Sequence, residues 1–377
     1  MAEKKLRIAM MGHKHMLSRE GGIEIVVREL STRMAAQGHE VTCYDRHTRH
    51  VSGDKLDCQS EFKGVRIKSV WTIDKKGLAA MTSSLSAALR SAFGRYDVVH
   101  IHAEGPAVMC WIPHLFHKRV IVTVHGLDWA RKKWGSLAAK YIKLGEKEAV
   151  KRANEIIVLS HKAQEYFLET YNRQTVFIPN GVNRPSLQKS NEINEIWGLE
   201  KDSYVLFVGR IVPEKGLEYL IEAWKDLYTS KKLVVVGGSS DSDAYVNEIK
   251  LRAPETVVFT GFQQGIVLDE LFSNCYFFCL PSDLEGMPLS LLEAMSYGNC
   301  CVVSDIAECL EVVGDRAVVF PKGDVIELRR VLQELLDYPE RVAKYRNGAA
   351  DYITEKYNWD SVVKETLDLY QDCENKD

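Results

Sequence analysis

The sequence predicts two α/β domains, each built on a Rossmann-like parallel sheet and facing the other across a cleft. Three observations carry this prediction. Short β-rich apolar runs alternate with longer helical patterns, the sequence form of repeated βα units around a parallel sheet. The whole series occurs twice. Between the two series, Pro179-Asn180-Gly181-Val182 and the polar stretch to residue 200 concentrate turn-forming residues. The predicted division is an N-terminal domain over 1–180, a C-terminal domain over 181–358, and a closing helical segment over 359–377.

In the first series, strands are expected at 6–11, 40–44, 65–70, 97–102, 119–124, 155–160 and 175–179. Helical patterns lie between most of them, for example from Ile23 to Gln37 and from Ser136 to Arg152. The second series gives strands at 203–209, 232–238, 256–261, 275–281, 300–305 and 317–320, with helices starting near Gly216, Asp243, Val267 and Pro288. Beyond residue 324 the chain reads as wholly helical, and Trp359 to Cys373 lies past the final strand. The stretch from Arg46 to Lys63 has no readable pattern.

At 377 residues, 46% hydrophobic and 27% charged, the composition is globular and the chain is long enough for two cores. The nine cysteines form no CxxC pair and no Cys/His run at zinc spacing, and an odd number does not suit a closed disulfide framework. A reducing, cytoplasmic compartment is therefore expected. No secretory leader opens the sequence, and no apolar run approaches the roughly 20 residues of a membrane span. The net charge of −3 conceals an asymmetry: residues 1–180 carry 29 Lys and Arg against 18 Asp and Glu, leaving 20 against 34 for the rest. The basic half suits anionic headgroups at the inner face of the cytoplasmic membrane, or a diphosphate-carrying acceptor; the other reading is a solvated charged face. Nucleic acid is not expected, because no basic run is interleaved with aromatics in a binding module.

The loops that leave the strands carry the candidate chemistry. Gly21 and Gly22 lie between the first strand and its helix, where backbone N–H groups can approach an anion; tight-turn glycines look the same. Arg210 ends a second-series strand and Lys215 follows five residues on, so a bidentate fork and a mobile point charge can converge on one diphosphate. The strongest stretch is Pro281-Ser282-Asp283-Leu284-Glu285-Gly286-Met287-Pro288-Leu289-Ser290-Leu291-Leu292-Glu293-Ala294. It sets Glu285 in a loop after a strand, with Pro288 suited to the first position of the following helix. The N–H groups of Met287, Leu289 and Ser290 can face phosphate. Glu293 stands among Leu291, Leu292, Ala294 and Met295, where an unpaired carboxylate would be costly. His125 follows a strand and should reach the cleft, whereas His100 and His102 read as packed strand residues. Asp241 and Asp243 form an Asp-x-Asp, but with Arg210 and Lys215 present no metal is expected.

Together these loops resemble retaining glycosyltransferase family 4, the GT-B enzymes that include many bacterial capsule, lipopolysaccharide and exopolysaccharide sugar transferases. The carriers are SREGGIE (18–24), HGLDWARKKW (125–134), IPNGV (178–182), FVGRIVPEKG (207–216), VVVGG (234–238), TGF (260–262) and EGMPLSLLEAM (285–295), spread over the whole chain. The resemblance implies retaining, metal-independent transfer of a hexose, deoxyhexose or N-acetylhexosamine. The donor would be a nucleotide diphosphate sugar, with UDP the commonest nucleotide and TDP or GDP fitting the same loops, and no cofactor is needed. The acceptor would be a saccharide, lipid-linked in polysaccharide biosynthesis. Arg210 and Lys215 would bind the diphosphate, Glu293 the ribose, and Glu285, with Gly286, the donor sugar. Gly21 and Gly22 would approach the phosphates, His125 would contact the sugar, and the turn with Gly261 and Phe262 would hold the base. The segment from Trp359 would cross back to the first domain. Two alternatives keep the fold: a nucleotide-sugar 2-epimerase and a non-catalytic nucleotide-sugar-binding subunit.

Overall fold

The structure, a computed structural model, describes residues 5–19, 21–48, 59–75, 77–127, 129, 135–238 and 243–371. The chain forms two compact units, one of residues 1–180 with 359–377 and the other of residues 181–358.

The first unit runs β1 (Arg7–Met11), α1 (Gly22–Ala36), β2 (Glu40–Arg46), β3 (Glu61–Phe62), β4 (Val65–Val70), α2 (Leu78–Phe93), β5 (Val98–His102), α3 (Glu104–Ala107), α4 (Trp111–Leu115), β6 (Arg119–Val124), α5 (Ser136–Arg152), β7 (Glu155–Val158), α6 (His161–Tyr171) and β8 (Val176–Phe177). Its strands lie in the order β3-β4-β2-β1-β5-β6-β7-β8, and apart from the β3–β4 pair all are parallel. The central strands are continuous Val/Ile-rich runs because helices cover both faces of a parallel sheet, leaving no face for polar residues. β5 is buried along its whole length. α1 buries Val26, Val27, Leu30 and Met34, a helical spacing that gives the sheet one apolar stripe.

The second unit runs α7 (Glu192–Trp197), β9 (Tyr204–Val208), α8 (Leu217–Trp224), β10 (Lys232–Val236), α9 (Asp243–Arg252), β11 (Val257–Gly261), α10 (Ile266–Asn274), β12 (Phe277–Leu280), α11 (Leu289–Ser296), β13 (Cys301–Ser304), α12 (Ala307–Val313), β14 (Val318–Phe320), α13 (Val325–Asp337), α14 (Pro339–Arg346) and α15 (Ala349–Lys356). The strand order β11-β10-β9-β12-β13-β14 is wholly parallel. Strands stand at each place the sequence predicts, with ends shifted by a few residues.

The segment beyond residue 324 is helical throughout its described residues, as the sequence predicts, in four helices broken at Tyr338, at Asn347-Gly348 and at Tyr357-Asn358. Pro339 lacks the N–H that would continue α13 and instead opens α14, and Gly348 turns with φ of +72°. In the stretch from Arg46 to Lys63, for which the sequence shows no pattern, β3 pairs antiparallel with β4; residues 49–58 lie outside the described residues.

α16 (Trp359–Gln371) packs within the first unit, burying Trp359, Val362, Val363, Thr366, Leu367 and Tyr370. Arg33 pairs with Asp360 at 2.5 Å. The Arg119 guanidinium donates to the Leu369 carbonyl at 2.9 and 2.6 Å, and the Tyr370 hydroxyl meets His100 Nδ1 at 2.5 Å.

Candidate active site

In an open parallel sheet, ligands bind beyond the carboxyl ends of the strands, where the strand order reverses and flanking loops diverge. That point lies between β9 and β12 in the second unit and between β1 and β5 in the first.

In the second unit, the β9–β12 crevice receives both loops that carry the sequence's charged candidates. Arg210 lies two residues past β9 and is partly exposed, its carbonyl accepting from Val212 N at 3.1 Å. A short 3-10 turn over Pro213–Lys215 then aims Lys215 across to the β12 loop. Its Nζ donates to Glu285 Oε1 at 2.6 Å, with side-chain exposures of 12% and 7%, so this ion pair is largely out of water. Ser282 Oγ donates to the same carboxylate oxygen at 2.6 Å, and Ser304 Oγ holds the Ser282 carbonyl at 2.5 Å. Backbone bonding closes the loops on each other, as Asp283 N donates to the Glu214 carbonyl at 2.9 Å. Tyr219 donates to Asp283 Oδ2 at 3.0 Å, and the phenol is pushed up to about 12 by burial and then by this carboxylate.

Gly216 makes that approach possible. Its φ is +63°, and a Cβ there would stand 1.9 Å from the Pro281 carbonyl oxygen. Gly216→Ala should therefore destabilise the unit by about 1–3 kcal/mol, the cost of a side chain forced into left-handed backbone, and separate Lys215 from Glu285. Denaturant melts check the first effect and nucleotide titration the second.

α11 begins at Leu289, so Pro288 is its N-cap rather than its first residue, a correction of one position. The reason is the backbone: Pro288 holds ψ of 101°, outside helical geometry, while its carbonyl accepts from Leu291 N and Leu292 N. Gly286 and Met287 are buried, whereas Leu289, Ser290 and Glu293 are partly exposed at the start and flank of the helix. Leu291, Leu292, Ala294 and Met295 are fully buried and fix the helix on the sheet. At the end of β11, Gly261 takes φ of +72° and accepts from Gly237 N at 2.9 Å, leaving Phe262 exposed. Asp241 lies outside the described residues, as does the Asp243 side chain. Among the described residues no three His, Cys, Asp or Glu side chains gather as a metal-binding group.

In the first unit, the β1 loop is anchored by two carboxylates that sequence reasoning missed. Asp45 accepts from His13 Nε2 at 2.8 Å and from Met16 N at 3.2 Å, and Glu24 accepts from Lys14 N at 2.9 Å. Gly21 is the N-cap of α1 and Gly22 its first residue, while Glu20 lies outside the described residues. Gly12 has φ of +106°, and a Cβ there would meet the His102 carbonyl oxygen at 2.2 Å, so β1 and β5 leave the sheet in backbone contact.

His125 sits just past β6, and its Nε2 lies 3.0 Å from His102 Nδ1. His102 stacks on His100 with ring centroids 4.2 Å apart, and His100 Nε2 bonds Thr123 Oγ1 at 2.7 Å. His100 and His102 are completely buried, as the packed reading expects, but His102 is also the partner that orients His125. Its signal was the i, i+2 spacing of His100 and His102, which puts both rings on one face of β5. Burial holds His100 near 3, the charge on His125 adding to the effect, and holds His102 well below the ordinary imidazole range. Of the HGLDWARKKW stretch, Asp128 and residues 130–134 lie outside the described residues. Trp129 donates to the buried Glu146 at 2.9 Å, tying this loop to α5.

Two doubly wound sheets, each with its charged or imidazole-bearing loops at the switch point, define the GT-B class of glycosyltransferases. The chain belongs to glycosyltransferase family 4: the family model described as "Glycosyltransferase Family 4" matches residues 20–184, and that described as "Glycosyl transferases group 1" matches residues 189–352. It is an enzyme of the glycosyl-transferring class. An uncharacterized glycosyltransferase of Methanocaldococcus jannaschii is 26% identical over 97% of this chain and 98% of its own. The Escherichia coli UDP-Gal:alpha-D-GlcNAc-diphosphoundecaprenol alpha-1,3-galactosyltransferase is 30% identical over 56% of this chain and 58% of its own. In fold, the Anabaena protein HepE in complex with UDP-glucose matches with a TM-score of 0.79 at 16% identity, covering 96% of this chain and 99% of that one.

Proposed function

We propose that the protein transfers a hexose, deoxyhexose or N-acetylhexosamine, with retention and without a metal, from a nucleotide diphosphate sugar to a lipid-linked saccharide in cell-surface polysaccharide biosynthesis. The observation that carries this reading is the Lys215–Glu285 pair, held out of water at 2.6 Å beside the start of α11. A cation, a carboxylate and a helix N-terminus in one crevice match the three parts of such a donor: diphosphate, sugar hydroxyls and the charge that develops between them.

In this reading Arg210 and Lys215 bind the diphosphate, and the first N–H groups of α11, at Leu289 and Ser290, join Met287 in facing it. Glu285, fixed by Ser282, accepts from hydroxyls of the sugar, Gly286 lets that sugar approach, and Glu293 accepts from the ribose. Gly261 and Phe262 hold the base. On the first unit, Gly21 and Gly22 approach the phosphates and His125 donates to the sugar. As the glycosidic bond to phosphate breaks, negative charge grows on the leaving diphosphate. Fixed cations and dipoles already aimed there lower the barrier without reorganising, which is worth more in a site that excludes water. The departing phosphate oxygen takes the acceptor hydroxyl proton. UDP is the favoured nucleotide, with TDP and GDP as the others; the names of the E. coli relative and of the HepE complex support UDP. The acceptor places the work at the cytoplasmic face of a membrane.

Proton NMR of the product at the earliest turnover tests the stereochemistry. An anomeric coupling unchanged from the donor is expected, and an inverted one contradicts the proposal.

A further inference from the structure

α2 is built inside out. Its buried face is Ser83, Ser84, Ala87, Ala88, Ser91 and Ala92. Its exposed face is Leu78, Met81, Leu85, Leu89 and Phe93, the last 72% exposed. A helix on the surface of a globular protein turns its large apolar residues inward, so this pattern asks for a second apolar environment outside. Arg90 is the single charged residue in the 16 of the helix. The patch continues on α4, where Trp111 and Leu115 are exposed, followed by Phe116, whose ring meets that of Phe93 at 4.7 Å. Contiguous apolar surface of this kind marks an interaction site.

Charge says what the site meets. Leu89 and Phe93 also line a groove shared with Arg7, Arg66, Lys68, Arg90 and Arg95, against the one carboxylate Glu40 among the lining residues. Arg7 is engaged by Asp97 at 2.7 Å, and Arg66 reaches Glu40 at 3.4 Å. The groove therefore keeps a net positive charge directly beside the apolar stripe. We infer that this face docks on a bilayer containing anionic lipids. α2 lies in the interface plane, with Leu85, Leu89 and Phe93 at the acyl boundary and Lys68, Arg90 and Arg95 at lipid phosphates. A second copy fits worse, because twofold pairing sets the same basic groove against itself. The helix does not span: among the described residues no helix is long and apolar enough to cross a membrane.

This inference deepens the reading of a lipid-linked acceptor and rests on it only for the purpose of docking. Flotation of the full chain with vesicles of phosphatidylcholine, alone or mixed equally with phosphatidylglycerol, tests it without any donor present. Flotation with the anionic vesicles alone is expected, weakened by high salt. It should fall about tenfold in Leu89→Ser/Phe93→Ser, since interfacial binding scales with buried apolar area, and in Lys68→Glu/Arg95→Glu. Absence of flotation, or equal flotation of the variants, overturns it, as does a concentration-dependent dimer that Phe93→Ser abolishes. UDP-induced thermal stabilisation, followed in parallel, reports the donor site separately. Flotation without a response to UDP, TDP or GDP would remove the proposed function and leave this surface standing.

Discussion

Lys215→Ala should lower kcat/KM for the nucleotide sugar about 10²–10³-fold, the usual cost of removing one preorganised group that stabilises developing charge. The same change should cost about 3 kcal/mol of stability, because truncating one member of a buried ion pair strands the other. Glu285 would keep only Ser282 as a described partner. The two effects separate in Lys215→Arg. That variant keeps the charge and should recover most of the stability, while a planar fork in place of a point charge leaves turnover well below wild type. Steady-state kinetics with denaturant melts on the same preparations check both. A Lys215→Ala enzyme of normal turnover would remove the central cation from the mechanism.

Acidification should destabilise the first unit well before ordinary carboxylates protonate. His100 is held near 3 by burial and His102 well below its usual range. A histidine depressed in the folded state binds fewer protons there than when unfolded. Stability therefore falls as pH drops below about 6.5, by about 1.4 kcal/mol per pH unit for each such group. The loss continues toward pH 3 for His100. His100→Gln keeps hydrogen-bonding groups for Thr123 and Tyr370 and should reduce that slope by about 1.4 kcal/mol per pH unit. Urea melts from pH 7 to 5 measure it. Glu146 acts in a lower window. Burial alone would raise its carboxyl, but bonds from Tyr171, Lys143, Glu104 and Tyr166 more than offset that and hold it below the carboxylate range. Its contribution is present above about 4.5 and is lost only as pH falls below that.

Much of the fold was legible because a parallel sheet buried on both faces writes itself as uninterrupted Val/Ile-rich runs. EIIVLS, RVIVTV and KLVVVGG could hardly be anything else. β3 escaped because two residues, Glu61 and Phe62, carry no period. The helical reading beyond residue 324 agrees with α13 to α16, whose breaks after Asp337 and Arg346 fall beside Pro339 and Gly348. At the site, Glu285 and Lys215 were legible as loop residues beside strand ends, and the structure brings them together. Ser282, which fixes Glu285, stood in the same stretch without attracting attention, since a serine in a loop has many uses. Asp45 and Glu24 were illegible for a deeper reason. Their partners are backbone N–H groups and a histidine brought close only by the closed β1 loop, and no local pattern announces such a bond. α2 shows a further limit: which face of a helix turns inward depends on the small residues between its apolar ones, and the structure displays that.

The most direct test of the account is titration of the purified chain with UDP in the presence of EDTA, followed by thermal melting, since a ligand that binds only the folded state raises stability by mass action. The account predicts stabilisation by UDP without metal, and its loss in both Arg210→Ala and Lys215→Ala. No response to UDP, TDP or GDP would contradict it, and so would a response that both variants retain in full.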